Sequence, residues 1–228
     1  MSETWFLLCS DAGQPDWNMA LDETLLENAP LIAKPVLRFY SWSTPAATFG
    51  YSQRVADLER VTLLRPLIRR TTGGGLVPHD GDWTYSLTFP PDHFWYELKA
   101  TESYQRVHAW IQFSLQKLNV TTELSPCCKK DIPGQCFLGA EKFDLLWRGR
   151  KIAGAAQRRS KTGLLIQGSV QPPPISLPRE NWENAMRETA QENFAVQWED
   201  FILGSDLKNK TLALVAEKYS QSSYNRKR

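Results

Sequence analysis

The sequence has few of the residues that build metal centres or disulfide frameworks. Its 228 residues include four cysteines and three histidines. The cysteines form no Cys-x-x-Cys pair, and no histidine lies near Cys127, Cys128 or Cys136, so their spacing matches no zinc-binding pattern. We therefore expect no metal site. Cys9 follows an apolar run, and we expect it to pack in the core.

The sequence also lacks a large net charge and a long apolar run. The formal net charge is +2, which gives no reason to expect binding to nucleic acid. No apolar run approaches the ~20 residues of a membrane-spanning helix, and the first residues lack the basic and apolar regions of a signal peptide. These absences predict a cytoplasmic protein with reduced cysteines and without a nucleic-acid or membrane partner.

The most informative segment is residues 69–79, which read Arg-Arg-Thr-Thr-Gly-Gly-Gly-Leu-Val-Pro-His. Consecutive glycines let the backbone turn sharply and come close to a bound molecule. The two arginines supply planar charged groups suited to carboxylate or phosphate. A hairpin loop without a ligand is the simpler alternative, but the arginines and His79 favour an anion-binding loop. Neither the P-loop nor the dinucleotide-binding pattern fits, because no Gly-Lys-Ser/Thr follows and the glycines open no helix.

The hydrophobic pattern predicts strands in the middle of the chain with helices before and after them. Predicted strands cover residues 4–9, 35–41, 45–50, 82–89, 142–147, 150–157 and 163–170. The first predicted helix opens at Pro15 and Asp16, with Asp16 as the candidate N-cap. Further helices are predicted at residues 54–60, 102–118, 179–191 and 206–219. This order predicts an α+β fold. We expect a single catalytic domain over residues 1–228, with residues 196–228 as a helical C-terminal extension and a basic, solvated tail.

Cys136 and Lys151 form a second candidate site. Lys151 lies within Gly-Arg-Lys-Ile-Ala-Gly-Ala-Ala-Gln at residues 149–157, where small residues such as Gly154 allow close packing. A lysine near a thiol favours the thiolate and so raises its nucleophilic fraction. An inert buried cysteine and a solvated lysine are the alternative, which the spacing alone favours because buried cysteines are common.

These segments together resemble the lipoate–protein ligase and octanoyltransferase family, whose superfamily also contains the biotin–protein ligases. The resemblance runs from about residue 5 to about residue 195. It depends on the Arg-Arg-x-x-Gly-Gly-Gly motif with His79, on Thr-Tyr-Ser at residues 84–86, and on residues 149–157. It implies a biotin/lipoate protein ligase catalytic domain, similar to class II aminoacyl-tRNA synthetases, with a mixed or antiparallel sheet flanked by helices.

The family has two chemistries. Ligases use ATP to make an acyl-adenylate and pass the acyl group to a lysine of a carrier domain. Cysteine-type octanoyltransferases take octanoate from acyl carrier protein through an enzyme thioester, without ATP. The chain resembles the second kind, because Asp-Gly-Asp-Trp at residues 80–83 replaces the Asp-x-Gly-Asn of ligases and Cys136 has the transferase distance from Lys151. Gly75 is more similar to the ligases, and the stretch Ile166-Gln167-Gly168 has no histidine where many relatives carry one.

The resemblance also implies roles for individual residues. Cys136 is the implied acyl-thioester nucleophile, and Lys151 favours its thiolate and holds the acyl carbonyl. The implied substrate-binding residues, which border the acyl pocket and its polar mouth, are Arg70, Gly73, Gly74, Gly75, His79 and Gly154.

The implied reaction transfers an octanoyl or lipoyl group in protein lipoylation. Its donor is octanoyl–acyl carrier protein, and its acceptor is a lipoyl carrier domain such as the glycine cleavage H protein or a 2-oxoacid dehydrogenase E2. This reaction needs no cofactor. One alternative is an ATP-dependent lipoate–protein ligase that uses ATP and Mg²⁺, and a second is a non-catalytic protein that binds an acyl group or a carrier domain.

Overall fold

The computed structural model describes residues 2–127 and 139–227 of the chain. Within them, eleven strands form two sheets. The strands are β1 Glu3–Gly13, β2 Val36–Trp42, β3 Ala46–Phe49, β4 Leu67–Arg69, β5 Val77–His79, β6 Trp83–Phe89, β7 Glu123–Leu124, β8 Leu145–Trp147, β9 Arg150–Ser160, β10 Gly163–Val170 and β11 Val196–Asp200.

The large sheet has the strand order β11-β1-β2-β6-β10-β9-β8-β7. β1 pairs in parallel with β11 and β2, and the remaining neighbours pair antiparallel. The small sheet has the order β4-β3-β5, with β3 parallel to β4 and antiparallel to β5. The mixed pairing with flanking helices confirms the predicted α+β class.

The helices cover both faces of the large sheet. They are α1 Pro15–Ile32, α2 Val55–Leu58, α3 Phe94–Glu97, α4 Ala100–Lys117, α5 Arg179–Phe194, α6 Ser205–Leu214 and α7 Ser222–Asn225, with a π-helical turn at Val215–Tyr219 between the last two. α4 and α5 pack on one face, and α1 crosses β6 and β10 on the other. None of the helices in the described ranges is long and apolar enough to cross a membrane.

β6 shows how the sequence assigns the two faces of the sheet. Successive strand residues point to opposite faces. Tyr85 and Leu87 belong to the main hydrophobic core, with side chains of α4 and α5. Thr84 and Ser86 face α1, yet they are also buried. The α1 face of the sheet is therefore both polar and buried, and its side chains need hydrogen-bond partners within the protein.

The structure confirms the predicted strands and helices, with shifted boundaries. The predicted N-cap at Asp16 is wrong: the helix begins at Pro15, Gln14 is the N-cap, and Asp16 lies in the first turn. Proline is well suited to the first helical position, where its missing N–H has no intrahelical partner to lose. The prediction that Cys9 packs in the core is also wrong, since its side chain is exposed.

The prediction that residues 196–228 are helical is wrong at their beginning. Val196 to Asp200 form β11, which pairs with β1 from Glu3 to Leu7. The edge of β1 supplies a partner that this short segment cannot specify alone. The prediction that the basic tail is solvated is also wrong for its first residue, Asn225. The side-chain oxygen of Asn225 accepts a 2.9 Å hydrogen bond from the backbone N–H of Arg69. The predicted loop at residues 125–135 falls largely outside the described residues.

A steric contact between Gly168 and Tyr85 gives a test of the core packing. A Cβ on Gly168 would lie 2.2–2.4 Å from three atoms of the Tyr85 ring and hydroxyl, and Tyr85 is fully buried. We expect Gly168→Ala to lower the free energy of unfolding by about 2 kcal/mol, as overpacked cores do, in urea denaturation. Gly204→Ala is the control, because no atom lies within 4 Å of its Cβ. An equal loss in the two variants would contradict this packing.

Candidate active site

A pocket lies where α1, the small sheet and the strands β9 and β10 meet. Four of the predicted site residues line it, namely Arg70, His79, Lys151 and Gly154. The other lining residues are Met19, Tyr40, Thr48, Val77, Thr84, Ala155, Ala156, Gln167, Gly168 and Ser169.

The lining of the pocket divides into an apolar and a polar part. Met19, Val77, Ala155 and Ala156 contribute apolar groups, whereas Lys151 and Arg70 contribute cationic ones. Burying an alkyl chain is worth about 0.8 kcal/mol for each methylene. A ligand with an alkyl chain and one polar end fits this division.

Lys151 reaches the pocket because β9 contains an extra residue. Leu145 pairs with Ala153, and the next residue, Leu146, pairs with Lys151. This bulge re-aims the side chains that precede it. Residues three apart in a regular strand face opposite sides, but here a Cβ on Gly154 would lie 2.8 Å from the Nζ of Lys151. Gly154 therefore leaves room for the lysine side chain itself.

The ammonium group of Lys151 pairs with a carboxylate that sequence reasoning missed. Its Nζ lies 2.7 Å from Oδ2 of Asp144, and the two side chains are 5% and 0% exposed. The hydroxyl of Tyr104 donates a hydrogen bond to Oδ1 of Asp144, and the backbone N–H of Glu141 donates to Oδ2 over 2.6 Å. The signal in the sequence was an acidic residue inside the predicted strand at residues 142–147.

Arg70 binds the glycine loop at residues 73–75. Its guanidinium donates 2.9 Å hydrogen bonds to the carbonyls of Gly73 and Gly75, and a 2.8 Å bond to the hydroxyl of Thr48. Arg69 has a different environment: it is fully buried, and it donates to backbone carbonyls that include Tyr51. The interpretation of both arginines as anion ligands is therefore wrong for Arg69.

The three glycines lie beside the pocket, and the wall itself is formed by residues such as Thr48, Arg70 and Val77. Gly73 and Gly74 are exposed, and no atom lies within 4 Å of a Cβ built on Gly73. Position 74 requires glycine because of its backbone conformation: Gly74 has φ +86°, which residues with a side chain disfavour. The loop also packs against Gly50, where a Cβ would lie 1.9 Å from the Gly74 carbonyl oxygen.

His79 is held in a single orientation at the pocket. Its Nδ1 lies 2.9 Å from Oδ2 of Asp82, and its Nε2 lies 2.8 Å from the hydroxyl of Thr48. Burial lowers the pKa of His79 although the Asp82 carboxylate acts in the opposite direction. The imidazole is therefore neutral near pH 7, with Nδ1–H donating to Asp82 and Nε2 accepting from Thr48. Its ring also stacks on Trp42 at a centroid distance of 3.9 Å.

Asp82 is the common acceptor for the side chains around His79. Its Oδ2 accepts hydrogen bonds from Ser169 at 2.6 Å and from Thr84 at 2.9 Å. Burial acts to raise the pKa of Asp82, but the imidazole and the two hydroxyls outweigh it and lower the pKa overall. The carboxylate therefore stays ionised and orients the imidazole.

A second buried carboxylate, Asp22 of α1, organises the opposite side of the pocket. It accepts hydrogen bonds of 2.7 to 3.0 Å from Arg38, Tyr40, Ser86 and Gln167. Sequence reasoning missed this group. Its signal was Arg38 in an apolar strand, since a fully buried charge requires a partner of opposite sign.

Cys136 lies outside the described residues, so its predicted pairing with Lys151 stays a prediction. The nearest described cysteine, Cys127, is exposed and forms no disulfide.

Residues 14–171 match the family described as the lipoyl protein ligase A/B catalytic domain. The chain belongs to this family. It is 33% identical over 183 residues to octanoyltransferase LipM of Macrococcus caseolyticus, which covers 75% of the chain and 66% of the relative. It is 34% identical over 190 residues to octanoyltransferase LipM of an Exiguobacterium species, which covers 78% and 68%. The match spans about two thirds of the length of these relatives.

Solved structures of lipoate protein ligases share the fold of this chain. A lipoate-protein ligase A bound with ATP superposes with a TM-score of 0.79 at 20% identity, covering 99% of each chain. A bipartite lipoate protein ligase from Thermoplasma acidophilum, whose structural analysis included its E2 lipoyl domain, gives a TM-score of 0.76 at 19% identity, covering 99% of this chain and 97% of the other. These likenesses confirm the predicted ligase-type catalytic fold.

The contact between Gly50 and the glycine loop predicts how the loop supports ligand binding. In Gly50→Ala, the new Cβ meets a backbone carbonyl that no side-chain rotation can relieve. We expect the shifted loop to weaken binding of an octanoyl analogue about tenfold, or about 1.4 kcal/mol, in calorimetry. Gly73→Ala is the matched control, because its Cβ meets no atom within 4 Å. Unchanged binding in Gly50→Ala would show that the loop does not support the pocket.

The burial of His108 in α4 predicts that the stability of the protein depends on pH. His108 is fully buried, and burial lowers its pKa to about 4. The Asp144 carboxylate acts to raise this pKa, and the Lys151 ammonium group acts to lower it. The unfolded chain, with a histidine pKa near 6.5, binds the proton more readily. Stability is therefore lost as the pH falls from about 6.5 to about 4, by about 3 kcal/mol in all. His79 and His93, whose pKa values are also lowered by burial, act in the same direction.

Urea denaturation at several pH values between 7 and 4 measures this loss. We expect His108→Gln to remove the contribution of His108, because glutamine still donates to the Tyr104 carbonyl that His108 Nδ1 contacts at 3.1 Å but does not titrate. The stability of the variant would then depend less steeply on pH than that of the wild type. Parallel pH profiles of the two proteins would refute this assignment.

Proposed function

We propose that the protein transfers an octanoyl group from octanoyl–acyl carrier protein to a lysine of a lipoyl carrier domain, through a thioester on Cys136. The names of the relatives support this reading, since chains 33% to 34% identical to this one are called octanoyltransferases. The likeness to an ATP-bound ligase concerns the fold alone.

The observation that carries the proposal is the position of Lys151 in the wall of a largely apolar pocket. The apolar lining suits the alkyl chain of an octanoyl group. The lysine suits its carbonyl, because its ammonium group is a charged hydrogen-bond donor that lies in the pocket wall beside Asp144, 2.7 Å away. A donor that is fixed before the reaction stabilises the negative charge that develops on a carbonyl oxygen.

In the first step, the thiolate of Cys136 attacks the thioester carbonyl of the donor. The carbon–sulfur bond to the carrier then breaks, and the carrier leaves as a thiol after protonation. In the second step, the neutral amine of the acceptor lysine attacks the enzyme thioester, the amine nitrogen loses a proton to solvent as the amide forms, and Cys136 leaves as a thiolate. Lys151 donates to the acyl oxygen in both steps. Asp144 offsets part of its positive charge, so hydrogen bonding contributes alongside any effect on the thiolate.

The proposed acceptor is a lipoyl carrier domain, such as the glycine cleavage H protein or a 2-oxoacid dehydrogenase E2. The structural analysis of the Thermoplasma acidophilum ligase included its E2 lipoyl domain, and a shared fold is compatible with a similar acceptor. The proposed reaction needs no cofactor. ATP and Mg²⁺ would enter only if the chain used the adenylate chemistry of the ligases.

Intact-mass measurement tests the thioester. Wild-type protein incubated with octanoyl–acyl carrier protein, without ATP, is expected to gain one octanoyl group and to pass it to a lipoyl domain. We expect Cys136→Ser to form no adduct and to lose transfer by at least about 10³-fold, because an unactivated hydroxyl is a far poorer nucleophile than a thiolate. Cys127→Ser is the matched control, since it removes an exposed free thiol.

Each other result points to a different function. Full activity in Cys136→Ser rejects the thioester. Product formed only from lipoate or octanoate with ATP and Mg²⁺ indicates the ligase. Binding of an octanoyl analogue without any product indicates a non-catalytic acyl-binding protein.

A further inference from the structure

Asp144 contacts Lys151 and also two residues that lie before and after residues 128–138, namely Ser125 and Glu141. Its Oδ2 lies 2.7 Å from Nζ of Lys151. Before the segment, the backbone N–H of Ser125 donates to the Asp144 carbonyl over 2.8 Å. After it, the backbone N–H of Glu141 donates to Oδ2 over 2.6 Å, and the Asp144 N–H donates to the Glu141 carbonyl over 3.1 Å. One residue therefore fixes the pocket lysine relative to the chain on both sides of this segment.

The backbone around Asp144 is strained in a way that presents its carboxylate. Phe143 has φ +71°, which is uncommon for a bulky residue. Such conformations cost free energy and persist where surrounding contacts enforce them. Here the Phe143 N–H donates to the Ser125 carbonyl over 2.8 Å, next to the bond from Ser125 to Asp144. The strain is thus held by the same contacts that place the carboxylate beside the lysine.

The carboxylate of Asp144 is fully buried and has several donors. Besides Lys151 and the Glu141 N–H, the Tyr104 hydroxyl donates to Oδ1. The oxygen of that hydroxyl lies 3.4 Å from the N–H of Ala155, which lines the pocket. Buried ion pairs contribute little net stability compared with apolar replacements. Stability alone is therefore a weak reason for a pair in this position.

We propose that Asp144 is a positioning residue for Lys151, which holds the ammonium group at the pocket wall and ties it to the chain on both sides of the 128–138 segment. Tyr104 supports the carboxylate from α4. The proposal rests on the proposed function for its effect on catalysis, but its physical core, the hold of Asp144 on Lys151, can be measured without any acyl transfer.

Chemical labelling measures that hold. Acetic anhydride reacts with neutral amines, and mass spectrometry of the peptides reports each lysine. In Asp144→Asn, the amide keeps the shape of the carboxylate and can still accept from Tyr104, but it no longer carries the charge that pairs with the ammonium group. We expect Lys151 to be acetylated at least fivefold faster in this variant. Unchanged labelling of Lys151 would overturn the proposal.

The exposed pair of Asp206 and Lys210, with a distance of 2.8 Å, provides the matched control. Its side chains are 77% and 45% exposed, and exposed ion pairs hold their partners weakly. We expect Asp206→Asn to change the labelling of Lys210 by less than twofold and that of Lys151 not at all. Faster labelling of Lys151 in this control would show a global effect and overturn the proposal.

A double-mutant cycle tests whether Asp144 acts through the lysine. We expect Asp144→Asn to slow octanoyl transfer by at least tenfold with little change in KM for the donor. In the Lys151→Ala background, the same substitution is expected to add no further loss, because residues that act as one unit are non-additive. Additive losses would mean that Asp144 acts independently of Lys151, and they would overturn the positioning role.

Two further outcomes are decided by the same measurements. If the wild type transfers no acyl group, the proposed function fails, and the labelling still decides whether Asp144 holds Lys151. If Asp144→Asn does not fold, as judged by circular dichroism, Tyr104→Phe replaces it, because it removes only the hydroxyl that supports the carboxylate. Faster labelling of Lys151 in Tyr104→Phe supports the proposal, and unchanged labelling overturns it.

Discussion

The structure depends on burying a polar sheet face without leaving its charged groups unpaired. α1 covers this face, and Asp22 of α1 accepts hydrogen bonds from Arg38 and Gln167 at 2.7 Å. An ionised group without partners in such a place would cost several kcal/mol, so the partners are fixed by necessity. Asp82 does the same for His79 and Ser169 on the other side of the pocket. The pocket is therefore shaped before any ligand arrives.

The same network extends to the glycine loop and to the end of the chain. Gln167, which donates to Asp22, also accepts from the Thr72 hydroxyl at 2.8 Å. Glu23 accepts hydrogen bonds from Thr71 and from Tyr219 of the π-helical turn. The loop is therefore held by α1, by β10 and by the C-terminal helices, which belong to the architecture of the site.

The ligase and transferase chemistries differ in which atom first receives the acyl group. The chain has the fold of an ATP-bound ligase and greater sequence identity to octanoyltransferases. Lys151 in the pocket wall suits either chemistry, because both develop negative charge on the acyl oxygen. Asp144 beside it makes the lysine a fixed donor, which limits how much free positive charge it offers to a nearby thiolate.

The sequence by itself determined the fold class, most of the strands and helices, and four residues of the pocket wall, because the alternation of apolar residues and the glycine motif are local signals. It did not reveal Asp22, Tyr104 or Asp144, whose partners lie on other elements and include residues far along the chain. It also misassigned residues 196–200, since the pairing of β11 depends on the edge of β1. Only the tertiary structure decided these features, because the partners of a buried charge and the pairing of a short edge strand are set by contacts between segments that local sequence does not encode.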